Sequence, residues 1–201
     1  MLHRAPTGTP WRSHDLLVPT VPVRSAPKVL LEGRPGVGKT TAAERIAIHL
    51  RDAGVPVSGF ITREIRKGRQ RVGFSLTTLD GEQGTLASVD LPGPPRVGKY
   101  GVDLAVLEEI GLPALCVARS GEVVIVDELG KMELASASFR DAVSALSAGP
   151  AAFVATVQVA RHPFTDALKR ASGVETLRVT HENRDRLPEQ VTERLLAHVK
   201  E

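Results

Sequence analysis

Apolar residues fall along this chain in two rhythms, and their alternation sets the expected architecture. Lys28-Val-Leu-Leu-Glu-Gly33 is a short aliphatic run ending in glycine, which predicts a strand. Ala42, Ala43, Ile46, Ala47 and Leu50 then recur at helical spacing until Gly54 and Pro56 stop the helix. Glu122-Val-Val-Ile-Val-Asp127 sets four aliphatics side by side with no polar alternation, the pattern of a strand buried on both faces of a parallel sheet. Ala151 to Val157 repeats it, and Glu175 to Val179 reads as a third such strand. Helices are expected from about Asp103 to Ala118, with an interruption at Gly111-Leu-Pro113, from Ser136 to Leu146 and from Leu187 to Val199. Strands alternating with helices predict an α/β fold, a mostly parallel doubly wound sheet with helices on both faces.

Between Val57 and Asp90 the pattern changes to β-rich pieces, Gly59 to Ile65, Arg71 to Leu79 and Thr85 to Val89, joined by turn signals at Lys67-Gly68 and Asp80-Gly81. These predict an antiparallel β-meander inserted at about 57–90, and Gly93-Pro94-Pro95 opens a loop after it. Residues 1–27 hold five prolines, three arginines (Arg4, Arg12, Arg24) and a single acid, Asp15, so they read as a flexible tail before one domain over 28–201.

Composition then narrows the function classes. The 26 Lys and Arg exceed the 23 Asp and Glu by only +3, spread too widely for a nucleic-acid surface, and 3% aromatics supply no base-stacking platform. No specific nucleic-acid binding is expected. The single cysteine, Cys116, excludes an internal disulfide framework and a cysteine-clustered zinc site, which suits a reducing, cytoplasmic setting. No stretch approaches the roughly 18 uninterrupted apolar residues of a membrane-spanning helix, so no membrane partner is expected.

Gly33-Arg-Pro-Gly-Val-Gly38-Lys39-Thr40 fits G-x-x-x-x-G-K-[ST] at every fixed position and sits between the first strand and the first helix. Backbone N–H groups converging on an anion need glycines without Cβ hindrance, and the helix starting near Lys39 adds its partial positive charge. Lys39 can reach the β- and γ-phosphates of a nucleotide, and the Thr40 hydroxyl can ligate the accompanying Mg²⁺. Asp127, at the carboxyl end of the most apolar strand, is where a second metal ligand belongs. Glu128 follows it directly, in position to orient and polarise a water for attack on the γ-phosphate. Lys39, Asp127 and Glu128 are therefore the candidate catalytic residues.

The phosphate loop, Gly59-Phe-Ile-Thr-Arg-Glu64, Gly73-Phe74, Val97-Gly-Lys-Tyr-Gly-Val-Asp103, Asp127-Glu-Leu-Gly-Lys-Met-Glu133, His162-Pro-Phe164 and Asn183-Arg-Asp185 together resemble, in that order, the THEP1-type nucleoside-triphosphatases. The resemblance runs from about Lys28 to the C-terminus. It implies a P-loop NTPase fold and Mg²⁺-dependent hydrolysis of ATP, GTP and other nucleoside triphosphates to diphosphates. It also implies two nucleotide-binding segments. The first is Gly33, Arg34, Pro35, Gly36, Val37, Gly38, Lys39 and Thr40, with Thr41 beside it; the second is Val123, Val124, Ile125, Val126, Asp127, Glu128, Leu129 and Gly130. Leu129 stands where isoleucine is commoner in the family, a volume-conserving exchange, and the tail 1–27 precedes the usual start of family members.

Other residues carry two readings each. Lys131 and Glu133 either shape the site or form a solvated helix start with Met132 as core. Arg63, Arg66, Lys67, Arg69 and Arg71 make the meander basic, as a flap near the triphosphate or as a solvated hairpin that discourages edge pairing. Arg161 could supply transition-state charge or be a surface residue. Asn183-Arg-Asp185 follows the last strand, from which P-loop proteins often touch the base, yet the guanine-selecting N-K-x-D pattern is absent from the sequence. A nucleoside-triphosphate hydrolase leads; a small-molecule or nucleotide kinase and a nucleotide-regulated interaction module are the alternatives. The pattern leaves the oligomeric state open.

Overall fold

The computed structural model describes residues 26–116 and 121–199. The chain runs β1 (Lys28–Gly33), α1 (Lys39–Asp52), β2 (Val57–Lys67), β3 (Gln70–Thr78), β4 (Gln83–Ser88), β5 (Arg96–Val97), β6 (Tyr100–Val102), α2 (Leu104–Val106), a π-helical turn (Leu107–Gly111) and α3 (Leu112–Cys116). After the undescribed residues 117–120 come β7 (Val123–Leu129), a 3₁₀ turn (Glu133–Ala135), α4 (Ala137–Ala148), β8 (Ala152–Gln158), α5 (Pro163–Arg170), β9 (Val174–Arg178) and α6 (Leu187–Val199).

One sheet takes up all of these strands in the order β5-β6-β4-β3-β2-β7-β8-β1-β9. The half β2-β7-β8-β1-β9 is parallel, and the half running outward from β2 through β3, β4, β6 and β5 is antiparallel. The meander is thus a continuation of the central sheet. Its first strand, β2, belongs to both halves, and β5 and β6 extend it through a stretch that reads as loop in the sequence. β2 can lie against β7 because Gly59, at φ +107°, has no side chain; a Cβ there would stand 1.9 Å from Ile125 O.

Two cores explain the uninterrupted aliphatic runs. In β1, Val29 and Leu31 face a cluster completed by Ala43, Ile46 and Leu50 of α1 and by Val191 and Leu195 of α6. Leu30 faces the other, with Phe60, Leu76, Phe153, Leu115 of α3 and Phe139 and Val143 of α4. A strand covered on both faces by helices has no polar side to show. β9 differs from expectation. It is an edge strand and only half-buried, so the run from Glu175 needed one covered face rather than two.

The helical stretch from Leu104 continues through Gly111-Leu-Pro113 with a π-helical turn in place of a break. Pro113 is the second residue of α3, directly after the π-helical turn. Val117 and Ala118, the end of the expected helix, lie outside the described residues, as do residues 1–25 of the expected tail. No helix among the described residues is long and apolar enough to cross a membrane.

Candidate active site

The loop Gly33–Gly38 carries the chain from the carboxyl end of β1 into α1. Gly38 caps that helix at φ +111°, a left-handed conformation that favours glycine, and no side chain caps the first-turn N–H groups. No acid stands in the first turn. The helix start therefore offers donors and partial positive charge to an anion. Lys39 is buried, and its Nζ reaches back to Arg34 O at 3.4 Å, so the ammonium lies over the loop.

Across from it, β7 delivers Asp127 to the carboxyl edge of the sheet, fully buried between its neighbours. Thr156 of β8 donates its hydroxyl to Asp127 Oδ1 at 2.6 Å. From β2, Thr62 offers its N–H and its Oγ1 to Oδ2 at 3.4 and 3.5 Å. Burial pushes the Asp127 carboxyl up to about 6, and the Thr156 and Thr40 hydroxyls beside it pull the other way. Asp127 and Thr40, from two separate segments, thus face each other. Neither Thr62, quoted only within the Gly59–Glu64 motif, nor Thr156 has a role in the sequence reading. A hydroxyl interrupting an aliphatic strand was the available signal, but pairing it with Asp127 requires the register of three strands.

Glu128 lines a cavity of about 560 Å³ with Gly38, Lys39, Thr40 and Thr41. Its Oε1 is buried with no hydrogen-bond partner among the described residues. Gly130, Lys131, Met132 and Glu133 continue this wall, and Thr62, Glu64, Arg71, Phe74 and Val97 close it from the antiparallel half. Arg71 is fixed there by Glu64 at 2.6 Å and by Tyr100 Oη at 3.1 Å, with its guanidinium 5.2 Å from the Phe74 ring centre. Those hydrogen bonds hold the Glu64 carboxyl below its ordinary range, chiefly through Arg71. Glu133 is buried, and its burial pushes the carboxyl up to about 8, reinforced by the charges of Glu128 and Asp127.

The remaining expected residues fall in two groups. Val123, Val124, Ile125 and Val126 are fully buried in the two cores and reach the site only by carrying Asp127 and Glu128 to its edge; Leu129 is buried as well. Arg34, Pro35, Gly36 and Val37 also border a second opening, of about 530 Å³, with Val159 and residues 178–182. Of the residues with weaker claims, Arg63 pairs with Glu44 of α1 at 2.6 Å on the far side of the hairpin. Arg161 is exposed and pairs with Asp166. His162 caps α5, its Nδ1 accepting Phe164 N–H. Asn183 builds a turn, accepting Thr180 N–H and donating to Arg178 O, both at 2.8 Å. That turn lays the stem of Arg184 over Gly38, 3.4 Å from where a Cβ would stand. No cluster of three or more His, Cys, Asp or Glu suited to a metal occurs among the described residues.

A model of a family described as NTPase matches residues 28–192. The chain is 45% identical over 165 residues to the nucleoside-triphosphatase THEP1 of Thermotoga petrophila, covering 82% of this chain and 90% of that one. It is 40% identical over 179 residues to the human cancer-related nucleoside-triphosphatase, covering 82% and 94%. The crystal structure of THEP1 from Aquifex aeolicus superposes with a TM-score of 0.76 at 34% identity, covering 84% of this chain and 98% of the other.

Proposed function

Because the chain belongs to the THEP1-type nucleoside-triphosphatase family, we propose that it hydrolyses nucleoside triphosphates to diphosphate and phosphate in the cavity bounded by the phosphate loop and Glu128. The observation that carries this reading is the Glu128 carboxyl, with one oxygen buried and unpartnered among the described residues and the group lining the same cavity as Lys39 and Thr40. A carboxylate left without a donor in such a place is suited to accept a proton from water.

In this reading the N–H groups of Gly36 to Thr41 cradle the phosphates, and Lys39 offsets charge on the β- and γ-phosphates. Thr40 and Asp127 make an oxygen donor set that suits Mg²⁺, and the ion when bound would neutralise charge developing on the phosphate oxygens. Thr156 and Thr62 keep Asp127 turned toward Thr40. Glu128 holds the attacking water and takes its proton as the bond from the γ-phosphorus to its bridging oxygen breaks. Arg184 over Gly38 presents an aliphatic stem and a cation, which any base can meet, so ATP, GTP and other triphosphates are all expected substrates. Neither specific nucleic-acid binding nor a membrane partner is part of this reading, and a cytoplasmic location fits the lone cysteine.

Phosphate release measured across the common nucleotides, with Mg²⁺ and with chelator, tests the proposal. Many turnovers without any acceptor are expected, with modest differences between bases and loss of turnover in chelator. Lys39→Ala should abolish turnover in a folded protein. Asp127→Asn should weaken Mg²⁺ dependence and nucleotide affinity together, whereas Glu128→Gln should lose roughly 10²–10⁴-fold in rate with binding retained. Negligible release until one small molecule is added, with the γ-phosphate recovered on it, would make the protein a kinase instead.

A further inference from the structure

Burying a carboxyl group is unfavourable, and Glu133 is only 5% exposed beside the cavity without being one of the acids assigned a role above. Its Oε2 accepts Gly130 N–H at 3.1 Å. The backbone closes the same ring from the other side: Leu134 N–H donates to Gly130 O at 2.9 Å as the turn Glu133–Ala135 begins. Gly130 is thereby held at both its N–H and its C=O.

What this turn carries is Glu128. β7 pairs with β2 as far as Val126, and with β8 as far as Val126 and again at Leu129. Among the described residues, Asp127 and Glu128 have no partner in either ladder. Asp127 is anchored instead through its side chain by Thr156 and Thr62. Glu128 lacks such a clamp on Oε1. Its neighbour is Gly130: a Cβ there would stand 2.9 Å from Glu133 Oε2 and 3.6 Å from both Cγ and Cδ of Glu128.

Taking Glu128 as the group that holds the attacking water, as proposed above, we infer that Glu133 is a positioning residue, whose hydrogen bond to Gly130 N–H fixes the turn that aims the Glu128 carboxylate into the cavity. The bond needs an acceptor oxygen and no charge. Since burial favours the neutral carboxyl of Glu133, an amide oxygen in the same place can do the same work.

Steady-state phosphate release from ATP with Mg²⁺, together with binding of a fluorescent non-hydrolysable ATP analogue, tests this on the full chain and on Glu133→Gln, Glu133→Ala and Gly130→Ala. Glu133→Ala is expected to lower kcat by roughly 10²-fold, the effect of misplacing a reacting group by about 1 Å, with KM and analogue affinity within about threefold. Glu133→Gln should keep kcat within about threefold of wild type. Gly130→Ala places a methyl 2.9 Å from Glu133 Oε2, which must shift, and only at ordinary contact distance from Glu128; by displacing the acceptor of Gly130 N–H without removing the Glu133 carboxyl it should lose kcat without losing analogue binding. The assignment is overturned if folded Glu133→Ala keeps the wild-type kcat, if Glu133→Gln loses as much as Glu133→Ala, or if KM changes as far as kcat. Should Glu133→Ala fail to fold, the other two variants decide: a slow, analogue-binding Gly130→Ala beside an active Glu133→Gln supports it, and any other pairing overturns it. A wild-type protein that releases no phosphate would sink the hydrolase reading itself, and this assignment with it, before any variant is compared.

Discussion

Glu133 also makes the site sensitive to pH. Its folded-state value of about 8 lies above the ordinary 4.5, so the folded protein holds a proton that the unfolded chain releases between those values. The stability linked to this proton is complete below about pH 4.5 and is lost as pH rises toward 8. Glutamine at 133 has no proton to lose. In metal-free buffer Glu133→Gln should therefore gain stability relative to wild type steadily from about pH 5 to pH 8. Thermal unfolding of both proteins across that range checks it, and parallel curves would contradict the burial-driven shift. Burial pushes Asp127 up at the same edge too, to about 6, with the hydroxyls of Thr156 and Thr40 and the Thr62 N–H offsetting part of it.

At the scale of elements, the joint between β2 and β7 connects the phosphate-binding half of the sheet to the half that closes the cavity. It depends on one missing side chain. Gly59→Ala would place a methyl 1.9 Å from Ile125 O at a φ of +107°, so the two strands must separate or β2 must change conformation. Strain and overpacking of that kind cost about 2–4 kcal/mol, which in a domain of this size lowers Tm by on the order of 10 °C. Gly81→Ala is the control. It has a similar φ of +101° but open space around the Cβ, and should lose about 1 kcal/mol from strain alone. Differential scanning calorimetry of the two variants measures the difference, and equal losses would show that the β2–β7 contact is not the sensitive feature.

At the scale of the whole molecule, the described chain is anchored from its first residues. Ala26 is buried in the core shared by α1 and α6, and Pro27 O accepts Phe153 N–H at 3.0 Å. Both contacts survive in a chain that begins at Ala26. We propose that residues 1–25 add little to folding or turnover, so that such a chain matches the full one in Tm and in phosphate release. A large loss of either would show that the segment packs on the domain.

Much of this protein is determined by short stretches of sequence. The phosphate loop is local: its glycines, Lys39 and Thr40 lie within a few residues, and the flanking strand and helix announce themselves by period. The aliphatic runs of β7 and β8 are equally legible, because a strand covered on both faces can hold no polar alternation. Ser136 reads as a helix start and indeed caps α4, accepting Phe139 N–H. The strands β5 and β6, of two and three residues, are too short to show any period. Where distant pieces meet was decided by tertiary structure alone. Thr62 and Thr156 reach Asp127 only through the register of β2, β7 and β8, and Arg71, Phe74 and Val97 reach the cavity only because the antiparallel half continues the same sheet. Register and strand order are set by burial of both faces at once, a sum over contacts far apart in the chain, so no single stretch of residues records them.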